Sequence, residues 1–152
     1  MSNAPPQKDE RKLPGVQREY RTDQIVVYWE SQLCIHTARC LRGLPKVFDV
    51  RRRPWIMVDT ASADQIAEVV RRCPTSALRF ERLDGGPQES APEQTTIQAT
   101  PDGPLYVRGE LKIVNQDGST RQLTRAALCR CGHSKNKPFC DGSHWDVDFK
   151  TT

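Results

Sequence analysis

The sequence predicts an α+β protein made of two small domains, a mixed half with a β-α-β-α-β pattern followed by a β-rich half. Three observations carry that reading. A segment rich in Gly, Pro, Ser, Thr and Gln, LDGGPQESAPEQTTIQATPD, separates the halves between Leu83 and Asp102, and such composition reads as a linker or long loop. Six cysteines divide three and three around it: Cys34, Cys40 and Cys73 before, Cys129, Cys131 and Cys140 after. Strand-like and helix-like periodicities alternate in the first half, whereas the second half shows only strand-like runs.

The elements follow in order. Residues 1–19 are polar and read as a flexible tail. In the first domain, 20–83, DQIVVYWE predicts a strand, and TARCLRGL a short helix stopped by Gly43 and Pro45. RPWIMVD predicts a second strand. SADQIAEVVRRC is the clearest helix: Ser62 and Gln65 have capping-box spacing, with Ile66, Val69 and Val70 on one face. Pro74 ends it, and SALRFER supplies the last strand. Residues 84–102 are the expected linker. In 103–152, PLYVRG and ELKIVN flank Gly109-Glu110 as a hairpin, Asp117-Gly118 marks a second turn, and the strand from Arg121 to Leu128 runs into Cys129. Trp29 and Trp55 fall in predicted strands and read as core.

Composition narrows the function. Only 36% of the 152 residues are hydrophobic and 28% are charged. Domains this small and polar often need a metal or another staple. MSNAPPQKDERKLPG lacks the apolar run of a signal peptide, and no apolar run is long enough to span a membrane. The expectation is a soluble, cytoplasmic protein in a reducing compartment, where cysteines hold metal more often than they form disulfides. The net charge of +4 is spread over small clusters, Arg51-Arg52-Arg53, Arg71-Arg72, and Lys135 with Lys137. These read as solvated surface or as a docking face for an acidic redox partner or an anionic cofactor, with neither nucleic acid nor membrane expected as a partner.

The stretch CRCGHSKNKPFCDGSHW holds the densest chemistry. On extended backbone Cys129 and Cys131 point the same way and can share one metal. In a helical turn starting at Pro138, Cys140 and His144 would lie at i and i+4 on one face. Two pairs of donors suit two bridged irons better than one ion, and Gly132 and Gly142 let backbone N–H groups approach cluster sulfurs. A structural zinc site is the alternative for a Cys3His set, although C-x-C is tighter than the usual spacer of ~2–4 residues. A disulfide between Cys129 and Cys131 would be strained.

The same stretch resembles the CDGSH iron–sulfur domain, with the pattern C-x-C-x2-(S/T)-x3-P-x-C-D-G-(S/A/T)-H. It is met at Cys129, Cys131, Ser134, Pro138, Cys140, Asp141, Gly142, Ser143 and His144. The resemblance implies a [2Fe-2S] cluster held by Cys129, Cys131, Cys140 and His144, with Asp141 and Ser143 orienting the loop; Trp145, next to His144, reads as a shield for the cluster edge. His133 falls at a variable position and receives no ligand role.

The first half carries CIHTARC and, 33 residues after Cys40, CPTSAL. Bacterial ferredoxins use C-x2-C-x2-C-x3-C-P runs. Overlaid on that run, Cys34, Thr37 and Cys40 take the close positions, and Cys73-Pro74 supplies the remote one. Thr37 stands where the middle cysteine is expected, and His36 is the nearest other donor. Three buried apolar cysteines are the structural alternative. From VVYWESQLCIHTARCLRGLPKVFDVRRRPWI to IAEVVRRCPTSAL, this half is similar to the divergent mono-cluster ferredoxin domain. That implies a ferredoxin-like fold and a [3Fe-4S] or [4Fe-4S] cluster on Cys34, Cys40 and Cys73, with His36 as a further candidate ligand.

No nucleophile–base motif, P-loop or dinucleotide fingerprint occurs, so no enzyme is expected and no catalytic residue is assigned. The leading expectation is a one-electron carrier serving a reductase or flavoprotein. The alternatives are a carrier that hands its cluster to an apo-protein acceptor, a pH or redox stress sensor, and a metal-stabilised interaction module. Family members with one CDGSH motif often pair into homodimers, a surface that a fused domain can cover instead.

Overall fold

The computed structural model describes residues 17–151. It holds two three-stranded antiparallel sheets, one in each half, with short helices beside them. The first sheet has the order β1-β2-β3: β1 Gln17–Arg21, β2 Ile25–Glu30 and β3 Leu78–Arg82. Between β2 and β3 come a 3-10 turn, Ser31–Leu33, and two helices, α1 Arg39–Gly43 and α2 Ala63–Val70. The second sheet has the order β4-β5-β6, with β4 Thr96–Ala99, β5 Leu105–Val114 and β6 Thr120–Leu128. A last turn of helix, α3, covers Ser143–Asp146. Among the described residues no helix is long and apolar enough to cross a membrane.

Helix α2 forms as its sequence predicts. The Ser62 hydroxyl accepts the Gln65 N–H at 3.1 Å, and the Ser62 N–H returns to Gln65 Oε1 at 3.1 Å. This box satisfies donors that a helix start otherwise leaves unpaired. Its apolar face, with Ile66, Val69 and Val70, packs with Ile25, Val27, Leu78 and Phe80 of the first sheet. Trp29 and Trp55 are half-buried against this core and meet edge to face, with centroids 4.9 Å apart.

Four expectations change. The order in the first half is β-β-α-α-β, because residues 17–19 open β1 and pair with β2; the remainder of the expected tail lies outside the described residues. RPWIMVD is not a strand. Among the described residues its strand-like contact is an isolated bridge between Ile56 and Phe48, since Pro54 has no N–H to give and the segment buries Ile56 and Val58 against α2 instead. Gly109-Glu110 is not a hairpin turn: β5 runs straight through, with a register shift between Arg108 and Leu111. A bulge absorbs the extra residue there, and Gly109 is needed because a Cβ would run into the Thr95 side chain. Finally, the expected linker is folded. Thr96–Ala99 pairs with β5 as β4, and Glu89 binds Arg125 of β6 through contacts of 2.7 and 2.8 Å.

The halves share an apolar seam. Leu33 and Ala77 of the first half pack with Leu123, Ala126 and Phe139 of the second, and Cys34 and Cys73 lie against that cluster. Ile35, 3% exposed, packs with Ala127 and Cys140. An ion pair crosses the same seam: buried Glu30, held within its own sheet by Arg79 at 3.1 Å, also takes Arg121 of β6 at 2.8 Å. Arg125, 1% exposed, donates to the carbonyls of Cys73 and Leu78.

Candidate metal centres

The C-terminal loop is closed by the end of β6. The Cys129 N–H donates to the Pro138 carbonyl at 2.9 Å and the Cys140 N–H to Ala127 at 2.8 Å, so Cys129 and Cys140 leave opposite ends of one short ladder. Side chains then set the loop. Ser134 Oγ donates to the Phe139 carbonyl at 2.6 Å and accepts the Asn136 N–H, while the Asp141 carboxylate accepts the N–H groups of Lys135 and Ser143, both at 2.9 Å. Gly142, at φ 90°, takes the left-handed turn that sends the chain from Cys140 into α3. The helix is shorter than expected. Pro138 and Cys140 lie before it in extended and turn backbone, because Cys140 spends its N–H on the ladder, and the Gly142 turn carries His144 back over Cys140.

The donors meet in two pairs. Cys129 Sγ and Cys131 Sγ are 3.9 Å apart; Cys140 Sγ and His144 Nδ1 are 3.5 Å apart. On a tetrahedral metal with bonds of about 2.3 Å to sulfur and 2.0–2.1 Å to imidazole, two sulfurs stand about 3.8 Å apart and sulfur and nitrogen about 3.6 Å. Each pair therefore has the bite of one metal. Two separate pairs, one sulfur–sulfur and one sulfur–nitrogen, fit two bridged irons, one per pair.

The loop also prepares its sulfurs for negative charge. The N–H groups of Gly132, His133 and Gly142 point at Cys129, Cys131 and Cys140 at 3.3, 3.4 and 3.4 Å. Burial alone would raise the Cys129 thiol, yet the backbone of Ser134 and Gly132, with Cys131 and His133, outweighs it and brings Cys129 below its ordinary value. Cys140, more deeply set, is pushed up to about 11, chiefly by burial. Burial lowers His144 and so favours the neutral imidazole that a metal needs, against the pull of Asp141 and Asp146. His144 is 5% exposed, and the Trp145 ring, itself 59% exposed, lies over it at 4.3 Å between centroids.

The N-terminal set is assembled from three separate segments. Cys34 follows the 3-10 turn, Cys40 sits in α1, and Cys73 leaves the end of α2, its N–H on the Val70 carbonyl. The three thiols are half-buried and close enough to act on one another. Cys40 is raised to about 11, first by burial and then by Cys73 and Cys34; Cys34 is raised by burial and by Cys73. Iron–sulfur cubanes take one thiolate per iron, and these three thiols are the donors this half offers. Cys34, His36 and Cys40 open on a cavity of about 740 Å³ also lined by Trp29, Trp55 and Arg53.

Thr37, in the place of the middle cysteine, turns its hydroxyl to the Arg39 N–H at the start of α1. His36 Nδ1 stands 3.7 Å from Cys34 Sγ, and His36 and Ala38 both hold left-handed backbone, at φ 60° and 63°. Non-glycine residues adopt that conformation at a cost of order 1–3 kcal/mol each and only where packing demands it.

Sequence reasoning missed the groups that tie the two sites together. Arg125 and Glu89, which no local pattern singles out, pair with each other inside the seam. Ile35 touches Cys140 from a position adjacent to Cys34. Its apolar side chain between two cysteines was the one available signal.

Comparison with known proteins agrees with this division. Residues 102–145 match the family described as iron-binding zinc finger, CDGSH type, and residues 20–82 match the family described as divergent 4Fe-4S mono-cluster. The chain is 36% identical over 72 residues to the Escherichia coli (strain K12) protein "Uncharacterized protein YjdI", spanning 47% of this chain and 95% of that one. It is 38% identical over 47 residues to the "CDGSH iron-sulfur domain-containing protein 2 homolog" of Drosophila erecta, spanning 31% of this chain and 35% of that one.

Proposed function

The chain belongs to the family of YjdI, as an iron–sulfur protein that joins a divergent 4Fe-4S mono-cluster domain to a CDGSH domain, and we propose that it works as a one-electron carrier with two centres. Cys129, Cys131, Cys140 and His144 hold a [2Fe-2S] cluster, and Cys34, Cys40 and Cys73 hold a [3Fe-4S] or [4Fe-4S] cluster, with His36 placed to serve as a fourth donor. Each cluster, when bound, supplies a site that gains or loses a single electron.

The observation that carries this reading is the shared wall between the two ligand sets. Ile35 follows Cys34 in the chain and packs on Cys140, so one apolar side chain separates a ligand of each site. The seam is apolar packing there, and the buried Glu30–Arg121 pair spans it. Imidazole in place of one thiolate leaves the C-terminal site less negative, which raises its potential, as the two-histidine Rieske centres do more strongly. Electrons enter and leave by a reductase or flavoprotein.

A second reading, transfer of the [2Fe-2S] cluster to an apo-protein or its loss as a stress signal, is favoured by one feature. His144 borders a cavity of about 390 Å³ shared with Asp102, Asp148 and Lys150, through which protons can reach it. Electron paramagnetic resonance on anaerobically purified protein, as isolated and after dithionite, with iron and sulfide assays, separates the readings. Two reversibly reduced centres are expected. About two irons per chain and a single reduced [2Fe-2S] signal would leave the upstream cysteines structural and put the transfer reading first.

A further inference from the structure

A polar cavity of about 400 Å³ lies outside both cysteine sets, beside Pro74. Its floor is regular sheet. Thr96 pairs with Arg108 and Gln98 with Tyr106 across β4 and β5. Side chains two apart on a strand, and those directly opposite on its neighbour, share a face, so all four project together. Arg39 of α1 closes the cavity from the other half, its guanidinium 5.6 Å from the Tyr106 ring centroid.

Both arginines face the cavity bonded to backbone carbonyls. Arg39 Nη1 donates to the Arg72 carbonyl at 3.4 Å and Arg108 Nη2 to the Arg71 carbonyl at 3.2 Å. Among the described residues neither has a carboxylate within 4.0 Å. Glu89, the acid whose field reaches Arg108, is already held through both oxygens by Arg125. Burial, then Arg125, and also Arg39 push the Arg108 guanidinium below its ordinary value against the pull of Glu89, so two like charges face one cavity. Each guanidinium carries five N–H donors and has given one to a carbonyl, which leaves forks of the geometry that binds phosphate oxygens in pairs.

We propose that this cavity binds the phosphate group of a small molecule, with Arg39 and Arg108 on either side of it and Thr96, Gln98 and Tyr106 as neutral hydrogen-bonding partners. Phosphate fits better than a flat carboxylate because the donors approach from the sheet and from α1, two directions that a tetrahedral anion can meet together. The site stands independently of how the cysteines are loaded. It is nonetheless adjacent to one of them, for Arg108, Arg39 and Arg125 donate in turn to the carbonyls of Arg71, Arg72 and Cys73.

Isothermal titration of the purified full chain with inorganic phosphate and with glycerol phosphate, at constant ionic strength held by chloride, tests this. Saturable 1:1 binding is expected, weakened at least tenfold in Arg39→Gln and Arg108→Gln and unchanged in Arg42→Gln, which removes a nearby exposed charge. Tighter binding of glycerol phosphate identifies a phosphorylated metabolite as the ligand, and equal binding identifies free phosphate. Arg39 is exposed, so its variant reads the site even if Arg108→Gln unfolds. No saturable heat with either probe, binding of malonate in preference to both, or equal weakening in Arg42→Gln overturns the proposal.

Discussion

In the C-terminal half four donors lie within sixteen residues, and hydrogen bonds inside that loop aim them. In the N-terminal half Cys34, Cys40 and Cys73 arrive from a turn, a helix and a helix exit, and the carbonyl of Cys73 is held by Arg125 from the other domain. One site is preformed by local geometry; the other exists only when the tertiary structure is complete. Local closure costs little chain entropy, whereas gathering distant segments must be repaid by packing. The first site therefore depends on its own loop and the second on the seam.

Removing ligands is the largest test of that contrast. Cys140→Ser is expected to abolish the C-terminal centre and leave the other intact, and Cys73→Ser to do the reverse, read by iron and sulfide content with paramagnetic resonance. Loss of both centres from either change would mean that the sites are not separate.

Arg125→Met tests dependence on the seam. It strips Glu89 of its partner and leaves the Cys73 and Leu78 carbonyls without a donor, and breaking a buried pair in this way costs about 3–5 kcal/mol. Urea unfolding should show that loss, with the N-terminal centre shed at lower urea than the C-terminal one. Simultaneous loss would sink the contrast.

Acid sharpens the comparison from the other side. His144 is held below its ordinary value of 6.5 by burial. The folded chain then binds fewer protons than the unfolded one as pH falls from about 6.5, so the contribution of neutral His144 is present above that value and is lost below it. A neutral imidazole is also what a metal requires. The C-terminal centre is expected to bleach faster as pH drops from 7 toward 5, and His144→Cys to slow that loss. Equal bleaching rates in the two proteins would falsify His144 as the ligand that titrates.

The smallest expected effect is at α2. Ser62→Ala removes one half of the capping box and should cost about 1 kcal/mol in urea unfolding. It loosens the helix that delivers Cys73, so iron retention should fall slightly at the N-terminal site and not at the other.

How far the chain could be read in advance follows the same division. The capping box at Ser62 and Gln65, the Asp117-Gly118 turn and the close approach of Cys129 to Cys131 and of Cys140 to His144 were all legible, because each depends on residues no more than four apart. Even there the details shifted: Cys140 reaches His144 through a glycine turn instead of a shared helix, since the ladder to Ala127 claimed its N–H first.

The remainder required partners that no local pattern announces. Gly109 reads as a turn until Thr95 is seen packed against it, and Thr96–Ala99 reads as linker until β5 offers an edge to pair with. Ile56 is apolar in either arrangement, and only the position of α2 decides that it buries without a strand. Sequence alone determined which residues could carry chemistry here, because spacing along the backbone sets what neighbouring side chains can reach. Tertiary structure decided that Arg125 faces Cys73 and that Ile35 stands between the two sites, because contacts across the seam depend on where whole elements come to rest.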